Sequence, residues 1–139
     1  LAGAQLHGDC PREEARRLRE HGLLVWRVVR IAASVDLDRL EEAALDADAV
    51  LVEPRAAHAA GGTGVSLDHA VAREARARLS GSRMVLAGGL TPETVGAAAA
   101  LVRPEVVDVS SGVERLPGIK DPVRIAAFLE AAFGPSPIR

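Results

Sequence analysis

Short apolar segments alternate with amphipathic segments from one end of the chain to the other. The apolar segments are rich in β-branched residues and are bounded by glycine, proline or charged residues, which predicts β-strands. Five strands are predicted, at residues 3–6, 25–32, 49–52, 84–87 and 106–109. Because helical periodicity follows each strand, the sequence predicts five consecutive βα units.

The helical segments begin with residues that commonly start helices. A proline, two early acidic residues and a final glycine frame the first segment, at residues 11–22. Ser34 and Thr91-Pro92 are plausible caps for the second and fourth helices. The third helix is expected to run from about Asp68 to residue 78, the fourth to end near residue 102, and the last to start at Asp121-Pro122 and end near residue 133.

Repeated βα units with apolar strands predict a parallel sheet that helices cover. Two architectures fit this pattern, a doubly wound sheet and part of a (β/α)8 barrel. Ligands bind at the carboxyl ends of the strands in both, so the residues just after each apolar run are candidate site residues. We expect one domain over residues 1–139, with a frayed tail at residues 134–139.

Composition excludes several classes of function. The net charge is −2 and aromatic residues make up 2% of the chain, which argues against a nucleic-acid partner. No apolar run approaches the roughly 18 residues of a membrane span, so no membrane partner is expected. A single cysteine, Cys10, rules out an internal disulfide and a multi-thiolate metal site, and it suits a cytoplasmic location.

Two strand ends are suited to phosphate. Gly88 and Gly89 after the fourth strand let backbone N–H groups approach an anion closely, and Ser110-Ser111-Gly112 offers the same after the fifth. In (β/α)8 barrels, phosphate commonly binds between the loops after strands 7 and 8. Asp108, inside the fifth apolar run, would then face a substrate hydroxyl or amine. The alternative is that both glycine-rich segments are only tight turns.

Four motifs together resemble phosphoribosylanthranilate isomerase of tryptophan biosynthesis. They are Q-L-H-G-D at 5–9, G-G-T-G at 61–64, L-A-G-G-L-T-P-E at 86–93, and V-D-V-S-S-G-V-E at 107–114 followed by P-G-x-K-D at 117–121. The resemblance covers essentially the whole chain. It implies that the Q-L-H-G segment closes strand 4, so that this chain holds strands 4–8 of an incomplete (β/α)8 TIM barrel, without strands 1–3.

The resemblance also implies an activity. The family catalyses the Amadori rearrangement of N-(5′-phosphoribosyl)anthranilate to 1-(2-carboxyphenylamino)-1-deoxyribulose 5-phosphate. An acid protonates the ring oxygen to open the furanose, and a base then removes the C2′ proton. No cofactor and no metal are expected, and the expected partner is the small phosphosugar substrate.

Site roles are transferred only where the motifs match. The family's general acid is an aspartate ending strand 6, and Glu53 occupies that position here. Glu53 is therefore either a working substitute or the mark of a divergent enzyme. The family's cysteine base belongs to a Lys-Ile-Cys-Gly strand, so Cys10 is not assigned that role. His7 either contacts substrate or is a structural histidine, and Arg55 is a weaker candidate for an anionic group.

Two classes of function stay open. The first is an isomerase that acts as the matching part of a full-length barrel, this chain being inactive alone. The second is a non-catalytic phosphosugar-binding remnant or divergent paralogue. Five strands leave two open edges, so self-association through those edges is expected of the isolated chain.

Overall fold

Strands and helices alternate along the chain as predicted. The computed structural model describes residues 1–32, 34–55 and 68–134. The elements are β1 (Gly3–Leu6), α1 (Arg12–Glu20), β2 (Leu24–Ile31), a 3₁₀ turn (Ser34–Leu37), α2 (Asp38–Ala44), β3 (Ala49–Pro54), α3 (His69–Arg78), β4 (Met84–Leu86), α4 (Val95–Val102), β5 (Val106–Val107), a second 3₁₀ turn (Ser111–Val113), β6 (Glu114–Leu116), β7 (Ile119–Lys120) and α5 (Pro122–Phe133).

The order of the strands distinguishes the two predicted architectures. The strands β1 to β5 form one sheet in the order β1-β2-β3-β4-β5, and every neighbouring pair is parallel. A doubly wound sheet would reverse its strand order at a switch point. Sequential order without reversal therefore favours the barrel type of α/β fold.

The two faces of the sheet have different coverings. One face packs against the helices, and its core includes Leu40 of α2, Ala75 of α3, Val95 of α4 and Phe128 of α5. The opposite face has a smaller cluster, formed by Ala49, Leu51, Val85 and Ala87 with Trp26, Val28 and Val106 against it. Because α2 to α5 all pack on one face, the other face corresponds to the interior of a barrel.

Three of the five predicted helix starts are confirmed, including that of α1, which begins at Arg12 after Pro11, and two are wrong. Asp68 accepts hydrogen bonds from Ala70 N and Val71 N, and Asp121 accepts from Val123 N and Arg124 N. The second helix begins at Asp38 rather than at Ser34, after a 3₁₀ turn. The fourth begins at Val95, because Thr91 N donates to Thr94 Oγ1 (3.0 Å) and closes a separate turn before the helix.

A hairpin between β5 and α5 is absent from the sequence prediction. Strands β6 and β7 pair antiparallel around Pro117-Gly118, and Gly118 has φ of 77°. Pro-Gly is a common turn dipeptide, and glycine adopts positive φ at little cost. The hairpin carries Lys120 back toward the end of β5.

Candidate active site

A row of polar side chains lies at the carboxyl end of the sheet. Arg30 pairs in register with Glu53 across β2 and β3. Val52 pairs with Leu86 and Leu86 with Val107, so the next residues, Glu53, Ala87 and Asp108, stand side by side. Side chains alternate along a strand, so these three lie on the face of the Leu51–Val85 cluster, away from the helices. The small side chain of Ala87 leaves room between the two carboxyl groups.

Glu53 is held by an arginine. Its Oε1 accepts from Arg30 Nε at 2.7 Å, and the Glu53 side chain is 23% exposed while that of Arg30 is 58% exposed. A charge-assisted bond of this length fixes the position of the carboxyl group. Arg30 was not among the residues selected from sequence, although its spacing from Trp26 and Val28 on one strand face would have indicated it.

Asp108 has an unusual electrostatic environment. Burial by surrounding atoms raises the pKa of its carboxyl group, the negative charge of Glu53 raises the pKa further, and Lys120 partly opposes both effects. Asp108 nevertheless keeps contact with solvent. Two neighbouring carboxyl groups with different partners can divide the roles of proton donor and hydrogen-bond acceptor between them.

Asp108→Asn is expected to stabilise the chain at neutral pH. A raised pKa means that the folded state binds the proton more tightly than the unfolded state, so the free energy of unfolding falls as pH rises through that pKa. Urea unfolding from about pH 4 to about pH 8 should show the variant's advantage growing with pH. An advantage that is constant with pH would contradict the electrostatic origin.

The two glycine-rich loops lie at the same edge of the sheet and touch each other. Gly88 and Gly89 follow β4 with φ of 85° and 68°, which side chains other than glycine rarely adopt. A Cβ at Gly88 would overlap the ring of Pro54, and a Cβ at Gly112 would overlap the carbonyl oxygen of Leu90. Packing therefore requires glycine at both Gly88 and Gly112, because a side chain at either position would overlap a neighbouring residue.

Basic side chains brace the loop after β5. Lys120 Nζ donates to Ser110 O at 2.9 Å, to Ser110 Oγ at 3.2 Å and to Glu114 Oε1 at 2.7 Å. Arg124 donates to Gly112 O through Nε (3.1 Å) and Nη2 (2.9 Å). These contacts hold the first residues of the Ser111–Val113 turn against Leu90, which follows Gly88 and Gly89. Lys120 is paired with Glu114, and its positive charge also partly opposes the raised pKa of Asp108.

Comparison with known proteins identifies the family. The family model described as N-(5'phosphoribosyl)anthranilate (PRA) isomerase matches residues 1–131. The chain belongs to this isomerase family. N-(5'-phosphoribosyl)anthranilate isomerase of Cereibacter sphaeroides is 41% identical over 136 residues, which cover 92% of this chain and 61% of the relative. That of Moorella thermoacetica is 44% identical over 127 residues, covering 91% and 54%.

Solved isomerase structures have the same fold. Phosphoribosyl anthranilate isomerase of Thermotoga maritima superposes with a TM-score of 0.84 at 35% identity, covering 97% of this chain and 63% of that one. Another isomerase structure, in complex with reduced 1-(o-carboxyphenylamino)-1-deoxyribulose 5-phosphate, superposes with a TM-score of 0.80 at 34% identity, covering 97% and 61%. This chain thus spans about three fifths of the length of most of these isomerases.

The remaining candidates from sequence lie at other positions. His7 follows β1 at the same edge of the sheet, is exposed, and is separated from Glu53 by β2. Cys10 is partly buried, and its carbonyl oxygen accepts from Arg27. Arg55 pairs with Asp36 at 3.3 Å. The G-G-T-G motif at 61–64 and residues 135–139 of the predicted tail lie outside the described residues.

Metal ligands and membrane-spanning helices are two further features to consider within residues 1–32, 34–55 and 68–134. No group of three or more His, Cys, Asp or Glu side chains in these ranges could hold a metal ion. Their helices are all too short or too polar to cross a membrane.

Proposed function

We propose that this chain supplies the phosphate-binding loops and the acid of a phosphoribosylanthranilate isomerase. One observation supports this most directly: Glu53, Asp108 and both glycine-rich loops share one edge of the sheet, with the two carboxyl groups on the face away from the helices. A phosphosugar bound by its phosphate at the loops would extend its sugar ring toward those carboxyl groups.

Each group has a defined role in the proposed reaction. Backbone N–H groups at Gly88, Gly89, Ser111 and Gly112, with Ser110 beside them, bind the phosphate oxygens. Glu53 donates a proton to the ring oxygen, and the furanose opens to a protonated Schiff base. Asp108 binds a substrate hydroxyl or the amine. A base then removes the C2′ proton, and the resulting enol becomes the ketone. The family's Lys-Ile-Cys-Gly motif, which provides that base, does not occur in residues 1–139.

The five parallel strands are proposed to correspond to strands 4–8 of an eight-stranded barrel. The match to 61% of the Cereibacter relative supports this proposal. So does the sheet itself, because among the described strands β1 and β5 each have one hydrogen-bonded neighbour. A catalytically complete barrel would then need strands 1–3, which a complete relative can supply for the tests below.

Gly89→Asp tests the phosphate site. The substitution puts a negative charge and extra volume beside the phosphate, and like charges in contact cost several kcal/mol. Affinity for reduced 1-(o-carboxyphenylamino)-1-deoxyribulose 5-phosphate should therefore fall by at least about 10-fold, measured by calorimetry on the completed barrel. Gly22→Asp is the matched control, because Gly22 also has positive φ (78°) but precedes β2 at the opposite edge of the sheet. Equal affinities for the two variants would exclude the proposed phosphate site.

A non-catalytic phosphosugar-binding role is the second candidate. The Arg30–Glu53 ion pair favours it, because Arg30 already occupies one of the two carboxyl oxygens that a substrate would contact. The two candidates differ in one measurement. A completed barrel that binds the phosphosugar tightly but gives no turnover would support the binding role over the isomerase.

A further inference from the structure

A pocket of about 470 Å³ opens at the carboxyl ends of β1 and β2, beside the loop that leads into α1 and beside α2. The pocket lies at the β1 end of the strand order, whereas the two glycine-rich loops follow β4 and β5 at the other end. Arginine side chains dominate its charged lining, namely Arg12, Arg27, Arg30, Arg39 and Arg55. So many guanidinium groups around one pocket require negative charges to balance them.

Four of these five arginines have carboxylate partners. The pairs are Arg12 with Asp46, Arg30 with Glu53 (2.7 Å), Arg39 with Asp9 (2.6 Å) and Arg55 with Asp36 (3.3 Å). Each pair accounts for the charge of its arginine. Arg27 is the exception among the five.

Arg27 is poorly satisfied. Its Nη2 donates to the carbonyl oxygen of Cys10 at 2.8 Å, and within the described part of the chain no carboxylate forms an ion pair with it. Its Nη1 is buried and has no hydrogen-bond partner. A guanidinium has five N–H donors, and leaving a buried charged donor without an acceptor is costly.

Glu42 is the carboxylate in the pocket lining that could compensate Arg27. It lies on α2, and no ion pair joins it to Arg27 in the structure. The other lining carboxylate, Asp9, is already paired with Arg39. Within the described part of the chain, the buried Nη1 of Arg27 therefore has no acceptor.

We propose that this pocket binds a small oxyanion, a phosphate or a carboxylate, through the guanidinium of Arg27. On binding, the Nη1 edge turns from its buried position into the pocket and exchanges an unsatisfied N–H for a charge-assisted hydrogen bond. Arg12 and Arg39 lie in the same lining but are paired with Asp46 and Asp9, so the unbalanced positive charge is that of Arg27. The proposal does not rest on the phosphate loops, because neither glycine-rich loop lines the pocket, although Arg30 and His7 are shared with the candidate active site.

The test titrates the 139-residue chain with inorganic phosphate and, separately, with acetate at constant ionic strength. Gly89→Asp is present throughout, so that the proposed phosphate loops do not contribute. Arg27→Met should weaken binding of the preferred anion by at least about 10-fold, because hydrogen bonds to charged groups are worth about 1.5–3 kcal/mol. Arg73→Met is the control, since Arg73 is exposed on α3 and outside the pocket. Glu42→Gln should tighten binding by removing a nearby negative charge.

Thermal unfolding separates an anion site from a structural role. If Arg27 is an anion-binding residue, Arg27→Met should unfold at the same temperature as the parent, or a higher one, when no anion is present. Added anion should raise the unfolding temperature of the parent but not that of Arg27→Met. The proposal is wrong if neither anion binds, or if Arg27→Met binds both as well as the parent does. It is also wrong if Arg27→Met unfolds at a lower temperature and no anion stabilises the parent, because Arg27 would then only brace the Cys10 carbonyl.

Discussion

Glu53→Gln should lower kcat of the completed barrel by about 100-fold or more, since general acids typically contribute 10²–10⁴-fold. The amide keeps the shape of the side chain and can still contact Arg30, but it has no proton to deliver to the ring oxygen. Affinity for the phosphosugar should change little, because the phosphate loops are untouched. Steady-state kinetics on phosphoribosylanthranilate, with calorimetric affinities, would separate the two effects.

Glu74→Gln is the matched control for this experiment. It makes the same chemical change on the exposed side of α3, where Glu74 pairs with Arg78 on the same helix, and it should leave kcat unchanged.

Glu53→Asp adds a second comparison. The additional methylene of glutamate moves the carboxyl group by about 1 Å, and an error of that size can cost about 100-fold in rate. A faster Glu53→Asp variant would indicate that the family geometry persists, whereas full activity in Glu53→Gln would remove Glu53 from the mechanism.

The 139-residue chain by itself should give no measurable turnover of phosphoribosylanthranilate. The proposed mechanism needs a base at C2′, and the family motif that provides it does not occur in these residues. Removal of a catalytic base typically costs 10²–10⁴-fold in rate. Adding strands 1–3 of a complete relative should restore activity. Substantial turnover by the chain alone would point to another base, and Cys10 and His7 would be the first residues to substitute.

The same chain should also self-associate, for an independent reason. In the described sheet, β1 and β5 each leave one side without a strand partner, and exposed strand edges pair readily with other chains. Sedimentation should detect oligomers that the completed barrel does not form. Trp26, the single tryptophan, packs against the Leu51–Val85 cluster on the face away from the helices, so its fluorescence would report how that face is covered. A monodisperse monomer with native fluorescence would contradict this expectation.

Local sequence was sufficient to predict most elements. All five strands of the parallel sheet occur near their predicted positions, because each is an apolar run whose backbone pairs within the sheet. The starts at Asp68 and Asp121 were also predictable, since a capping side chain bonds to N–H groups two or three residues away. Where two local arrangements compete, prediction failed: Thr91 and Pro92 begin a turn that Thr94 closes, and the helix starts only at Val95.

The sequence by itself determined the order of the βα units, the glycines at the strand ends and the family to which the chain belongs. These properties are encoded in residues that are near one another along the chain. Tertiary structure alone decided that Arg30 pairs with Glu53, that Glu53 and Asp108 flank Ala87, and that Gly112 packs on the Leu90 carbonyl. Among the described residues, it also left Arg27 without a carboxylate partner. Those contacts join residues about 20 or more positions apart, and they depend on the register between neighbouring strands, because a shift of one residue would turn each side chain to the opposite face of the sheet.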